Sequence, residues 1–401
     1  MVNNVHTIRV AIVVSHPIQH FVHLYKALAK QEGIQLKVFF ASRIGVKPYF
    51  DKDMGVEIQW ASDLLGGYDH EFLSEADNIV QTGFWQINNP SIIPALKKFD
   101  PDVVQLHGYA QLTMLRALLW CNIRRIPVLL STDSSLLFQR AAWKRGIKDT
   151  FLPLFFRLYY GVLAKGDNNT AYFKHYGVKP ERLFRCSFTV DEQSLRLAGK
   201  NKPALRAQFR AQYEIADDEI VLLFVAKLIP KKRPQDLLVA LELAQAKLPS
   251  VKLAVFFAGE GIMRSELEAM VISRKLRSVF AGFINLDVLP SIYAMADILV
   301  FPSNKEPYGL SALEAVRLGL PLIVSDQIGC VGASDAARPG YNALVYPNMD
   351  AEKLSEAIVL LISDRQKFKA MAEASLKVAE DMSEEKSVAG FLAAVTEACG
   401  K

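Results

Sequence analysis

The chain has 401 residues, of which 51% are hydrophobic and 22% charged, with a formal net charge of +5. That length predicts two or three domains, and the apolar content excludes a largely disordered chain. The charge is too slight for a nucleic-acid binder, so no nucleic-acid partner is expected; it suits an acidic small molecule or an anionic membrane surface.

The opening stretch, MVNNVHTIRVAIVVSH, lacks a basic leader and a small-residue cleavage site, so it reads as a first β-strand and not a signal peptide. Short apolar runs at Arg9–Val14, Gln35–Phe40, Val103–Leu106 and Val128–Ser131 alternate with helical patterns at His20–Gln31, Pro94–Lys98 and Leu112–Arg124. Apolar strands alternating with helices predict a doubly wound parallel sheet. The first strand leads into Ser15-His16-Pro17-Ile18-Gln19-His20, where a glycine-rich phosphate loop is the usual occupant. His16, Gln19 and His20 are the candidates here, either lining a ligand site or capping the next helix. His107 ends the run PDVVQLH, at a strand end where an imidazole can bind a sugar or handle a proton.

Trp143–Leu163 mixes Lys144, Arg145, Lys148 and Arg157 with many aromatics. It reads as a packed helix with Pro153 near its start, with a surface element meeting lipid headgroups as the alternative. Polar residues with Gly199 and Pro203 then interrupt the apolar pattern near Val190–Pro203, which predicts a domain boundary. A second series follows, with strands at Glu219–Ala226, Lys252–Phe257, Val279–Ala281, Ile298–Phe301 and Leu322–Ser325, helical spacing over Asp236–Lys247, and a last helix over Glu384–Ala398. The expected layout is α/β: two Rossmann-like doubly wound parallel-sheet domains facing across a cleft. They take residues 1–195 and 196–382, with 383–401 a helix packing back toward the first. No run approaches ~18 uncharged apolar residues, so no membrane-spanning helix is expected. The cysteines Cys121, Cys186, Cys330 and Cys399 have no CxxC or metal-ligand spacing, which predicts reduced thiols in a cytoplasmic protein.

The chemistry concentrates in FPSNKEPYGLSALEAVRLGLPLIVS, residues 301–325. Glu306 and Glu314 stand eight positions apart (314 − 306 = 8) around a Pro-Tyr-Gly turn that opens a helix. The unpaired amides of a helix N-terminus suit an anion, and a diphosphate in particular. Ionised carboxylates only accept hydrogen bonds, so they suit the hydroxyls of a sugar or ribose. Upstream, Lys227 and Lys232 bracket the turn LIPKKRP and can neutralise a diphosphate. Gly259 and Gly261 end another strand, where glycine permits a sharp turn and close backbone approach. Gly282-Phe283 can offer backbone groups or a ring face to a base. The capping-only reading of the glutamates is outweighed by the ordered lysines, turn and Gly319-Leu320-Pro321 that accompany them.

The sequence resembles the family 4 glycosyltransferases, retaining enzymes with the GT-B fold. The match is strongest from Val221 to Pro347 and rests on the Glu-x7-Glu motif EPYGLSALE and on Lys227 with Lys232, where the family has Arg then Lys. The turn Gly259-Glu260-Gly261 and the stretch Ala296-Asp297-Ile298 also match. The resemblance implies that Glu306 contacts the transferred sugar. It also implies that the backbone of Tyr308, Gly309, Leu310 and Ser311 binds sugar and diphosphate, that Glu314 holds the ribose, and that His107 lies near the reacting sugar. Catalytic roles then fall to His107, Glu306 and Lys232; donor binding falls to Lys227, Lys232, Gly259, Phe283, Glu306, Tyr308, Gly309, Leu310, Ser311 and Glu314. The donor would be a UDP or GDP sugar. The acceptor would be a glycan or lipid-linked hydroxyl of cell-surface polysaccharide synthesis, with peripheral contact to the inner face of the membrane. No cofactor and no metal are expected. The first loop, HPIQ in place of two glycines, departs from the family. A nucleotide-sugar epimerase or a phosphorylase on the same fold, or a non-catalytic sugar-nucleotide sensor, remain as alternatives.

Overall fold

Runs such as IRVAIVV and LAVFFA are apolar on both faces, and strands of that kind are stable only between two helical layers. A computed structural model, describing residues 7–46, 48–51, 53–58, 63–138 and 142–400, contains two sheets built this way. In chain order the strands are β1 (Ile8–Val14), β2 (Ile34–Phe40), β3 (Tyr49–Asp51), β4 (Val56–Ile58), β5 (His70–Phe72), β6 (Val103–His107), β7 (Val128–Ser131) and β8 (Gly161–Ala164). They continue as β9 (Leu183–Arg185), β10 (Ile220–Val225), β11 (Leu253–Ala258), β12 (Ser278–Gly282), β13 (Ile298–Phe301), β14 (Leu322–Ser325) and β15 (Ala343–Tyr346).

The first sheet runs β5-β2-β1-β6-β7-β8-β9, with every neighbouring pair parallel. The second runs β12-β11-β10-β13-β14-β15, again all parallel. Strands β3 and β4 form a separate antiparallel pair. The described residues within 1–48, 62–189 and 383–401 make one unit, and those within 49–61 and 190–382 make the other. The final helix, Glu384–Ala398, packs on the helix Gln19–Leu28 and on β8 and β9.

Each unit has its own core. In the first, Val104, Leu106, Leu130 and Phe173 are fully buried; in the second, Phe224, Phe257, Ile298 and Ile323 are. Strand order reverses once in each sheet, between β1 and β6 and between β10 and β13. A crevice opens outside the strands' carboxyl ends at such a reversal, and ligands of parallel sheets bind there.

Most expected strands form within a residue or two of their expected ends. Six strands did not register in the sequence: β3, β4, β5, β8, β9 and β15, each only three or four residues long. The stretch Trp143–Leu163 needs correction. Its helix is Ala142–Phe155, with Pro153 near the end and not the start, and Gly161–Leu163 belongs to β8. Proline has no N–H to continue the helical ladder, and the α-helix stops two residues later. The side chains of Trp143, Lys144 and Arg145, and the leader 1–6, lie outside the described residues. Among the described residues no helix is long and apolar enough to cross a membrane.

Candidate functional site

In the second unit the carboxyl ends of β10 and β13 bring together residues 74 positions apart. After β10 the chain makes a single tight turn, Pro230–Lys232, and Arg233 takes a left-handed conformation (φ 54°) held by its ion pair with Asp236 at 2.7 Å. This turn presents Lys232, whose ammonium pairs with the Glu306 carboxylate. Their side chains are only 15% and 14% exposed, and the ammonium lies 5.6 Å from the Phe301 ring centre. Asn304 donates its amide to the Lys231 carbonyl at 3.0 Å, which fastens the two loops together.

The segment after Glu306 is held by backbone bonds to 327–330. Glu306 N–H donates to the Gln327 carbonyl (3.2 Å), Gly329 N–H to the Glu306 carbonyl (3.0 Å) and Cys330 N–H to the Tyr308 carbonyl (2.8 Å). Gly309 then sits at φ 106°, where a Cβ would stand 2.8 Å from the Phe301 ring. Only glycine fits both the dihedral and the space. It opens the helix Leu310–Arg317, whose first amides have no partner within the helix. Tyr308 and Ser311 are buried, and Leu310 is half-buried.

Glu314 lies one turn into this helix and accepts a 2.6 Å hydrogen bond from the Tyr293 hydroxyl. Burial pushes its pKa up to about 7; the Tyr293 bond and the Arg317 charge oppose that rise without cancelling it. Arg317 is itself paired with Glu192. Glu314 is therefore only part-ionised at neutral pH, unlike the freely ionised carboxylate expected from the sequence.

The other expected donor residues divide. Lys227 is not brought onto Glu306: it pairs with Asp51 at 2.7 Å and Asp53 at 3.5 Å, beside the β3–β4 pair. Burial disfavours the ionised Asp51 carboxyl, but the bonds from Lys227 and the Met54 amide outweigh it and hold the pKa low. Gly259 does not hang free as a cradle. A Cβ there would come within 1.9 Å of the Ala226 carbonyl, and Leu228 N–H donates to the Glu260 carbonyl at 2.9 Å. Its glycine requirement comes from two strand-end loops crossing. Phe283 is half-buried just past β12. Asp297 is structural: it accepts from Arg206 (2.8 Å), Arg210 (2.7 Å) and the Val221 amide (2.8 Å).

In the first unit His16 and His107 flank the reversal between β1 and β6. The His107 Nε2 atom lies 2.8 Å from the Tyr25 hydroxyl and 2.9 Å from the Gln105 amide nitrogen. Its ring packs 4.2 Å from Phe21. His16 holds Ser15 Oγ at 2.9 Å through Nδ1, and His20 packs on Phe21 and Phe188. Burial lowers His16 to about 4; burial, then Lys165 and His16, lower His20 to about 3; burial and the Lys165 charge also hold His107 well below its ordinary value. All three are neutral at pH 7, so they serve as hydrogen-bonding groups and not as cations. Gln19 is half-buried at the start of the helix Gln19–Leu28. Lys165, at the end of β8, escaped the sequence reading because β8 itself was absorbed into the preceding helix.

Residues 206–378, within the second unit, match the family model described as Glycosyl transferases group 1. An uncharacterized glycosyltransferase of Methanocaldococcus jannaschii is 39% identical over 126 residues, 30% of this chain and 30% of that one. A D-inositol 3-phosphate glycosyltransferase of Geodermatophilus obscurus is 30% identical over 237 residues, 56% of this chain and 49% of that one. The chain thus spans half or less of the length of these relatives. Among solved structures, Anabaena Alr3699/HepE in complex with UDP aligns at a TM-score of 0.73 and 16% identity, over 98% of this chain and 100% of that one, a likeness of fold. Residues 206–378 thus carry the match to the Glycosyl transferases group 1 model, and the chain has the two-sheet parallel α/β architecture of GT-B glycosyltransferases.

Proposed function

We propose that this protein transfers a glycosyl group from a nucleoside-diphosphate sugar to a hydroxyl, with retention at the anomeric carbon. The observation that carries the reading is the Lys232–Glu306 pair beside left-handed Gly309, at the strand reversal of the group 1 domain. Lys232, Lys227 and the amides at Leu310 and Ser311 hold the diphosphate and stabilise its charge as it leaves. Glu306 accepts from the transferred sugar's hydroxyls, Glu314 from the ribose, and Phe283 offers its ring to the base. His107, neutral, hydrogen-bonds a sugar hydroxyl through Nδ1. Fixed cations and amide dipoles carry the leaving-group charge, so the reaction as proposed needs no metal. The departing phosphate accepts the acceptor's proton on the same face of the sugar, which accounts for retention without a side-chain nucleophile. HepE, solved with UDP and with UDP-glucose, favours a uridine donor.

A panel of UDP and GDP sugars tests this by thermal shift. One donor is expected to raise the melting temperature, since a ligand binding only the native state stabilises it by mass action. That donor should then release nucleoside diphosphate only with an acceptor present. Isomerisation of the donor alone would establish an epimerase instead, and binding without turnover across an acceptor panel a sensor.

We also assign peripheral membrane contact to the first unit, in keeping with a role in cell-surface glycan synthesis at the cytoplasmic face. Phe151, Leu154 and Leu158 are 57%, 60% and 36% exposed, next to exposed Arg157, while Leu152, Phe156 and Tyr159 pack inward. The protein is expected to sediment with anionic phospholipid vesicles and not with neutral ones. Phe151→Asp with Leu154→Asp should abolish that; unchanged sedimentation would refute the contact.

A further inference from the structure

Lys165 is the most deeply buried amine of the first unit's strand-end cluster, at 2% exposure. Among the described residues its ammonium makes no hydrogen bond and no ion pair within 4 Å. It lies 5.7 Å from the Phe21 ring centre and 5.3 Å from that of Phe188. Aromatic faces attract a cation but accept no hydrogen bond from it. A desolvated ammonium without an acceptor is a costly arrangement, and an anion is its natural complement. Burial lowers its proton affinity, and Cys186 and Asp133 oppose that without cancelling it.

Around it stand His16, His20 and His107, half-buried at the ends of β1 and β6. His20 and His107 are knit to the lysine through the same two rings: His107 and His20 lie 4.2 and 4.4 Å from Phe21, and His20 lies 5.2 Å from Phe188, while His16 acts electrostatically on His20. These neutral imidazoles can donate hydrogen bonds, and the phenyl faces suit the C–H face of a sugar ring. We propose that this cluster binds an oxyanion carried by the sugar acceptor, so that the acceptor is an acidic glycoside or a glycosyl phosphate and not a neutral sugar. The inference rests on the glycosyl-transfer reading for the word acceptor, but not for the anion site itself. The lysine charge lowers both His20 and His107, which places it within electrostatic reach of the groups it would share a ligand with.

The test titrates the full-length protein with D-glucuronate, glycerol 3-phosphate and, as a neutral control, glucose. Saturating UDP is present so that the second unit's anion-binding residues are occupied. At least one acid should bind, and glucose should not; which acid binds separates a carboxylate from a phosphate source. Lys165→Met should weaken that binding at least tenfold while leaving UDP affinity within twofold. Should Lys165→Met fail to fold, the wild type still decides. The chain has only 7 histidines, so ring-labelled histidine gives a countable NMR spectrum, and the signals of His16, His20 and His107, assigned by H16Q, H20Q and H107Q, should move with the acid. No binding by either acid, equal binding in Lys165→Met, or unmoved histidine signals would overturn the proposal. UDP binding, read in the same titrations, reports separately on the donor site.

Discussion

Glu306→Gln and Lys232→Ala each lower kcat for sugar transfer by about 100- to 1000-fold, the loss expected when one preorganised charged group is removed from a leaving-group or substrate site. The two should be far from additive. Each group orients the other across a contact where both side chains are about one-seventh exposed, and the double variant should be scarcely worse than either single one. Lys232→Ala also strands the Glu306 carboxylate in a largely dry site, which should destabilise the fold by about 2 kcal/mol. That is below the range for a fully buried pair, because water still reaches both ends. Lys227→Ala is the informative comparison. Its ammonium is shared with Asp51 and Asp53, so its removal should cost donor affinity before it costs kcat. Steady-state kinetics with the donor found by thermal shift, together with urea melts of each variant, decide the matter. Full transfer activity in Glu306→Gln would end the assignment of roles.

Affinity for UDP-glucose rises with pH between about 6 and 8, by about tenfold, and Glu314→Gln both weakens binding and flattens the slope. The diphosphate of UDP-glucose carries no group that titrates in this range, so the dependence reports the protein. Ribose hydroxyls donate to a carboxylate, and binding therefore selects the ionised Glu314. In the free protein burial holds that carboxyl near 7, so each unit of pH below 7 costs close to tenfold in competent protein. The same shift has a consequence for stability, with its own sign. The unfolded carboxyl releases its proton near 4.5 while the folded one keeps it to about 7. The native state binds more protons between these values, and stability falls as pH rises through that window. Glu314→Gln should remove that part of the decline. Calorimetric titration at constant ionic strength measures the first effect, and melting curves across pH measure the second. A wild-type affinity flat from pH 6 to 8 would show that Glu314 does not face the ribose.

Several features followed from the order of residues alone. Apolar runs such as Ile298–Phe301 and Leu322–Ser325 have one stable use, as central parallel strands, so the central strands of both sheets could be read in advance. Gly309 between Tyr308 and Leu310 marked the turn into a helix, because glycine takes a left-handed dihedral at no steric cost. The lysines and glutamates of the second domain were visible for the same reason: their spacing is local, and the turns that carry them are short. What tertiary structure alone decided concerns partners distant in the chain. Lys232 rather than Lys227 meets Glu306, because the tight turn at Pro230–Lys232 swings the later lysine toward β13 while Asp51, 176 residues upstream, takes the earlier one. Glu314 has its raised proton affinity because the packing around its helix excludes water, against the Tyr293 bond that lowers it, which no one-dimensional pattern records. Lys165 acquired its isolation the same way: a charge reads as solvated in sequence, and only the burial of β8 beneath Phe21 and Phe188 removes the water from it. Local sterics are written in neighbouring residues, whereas desolvation and charge pairing depend on which distant segments close over a group.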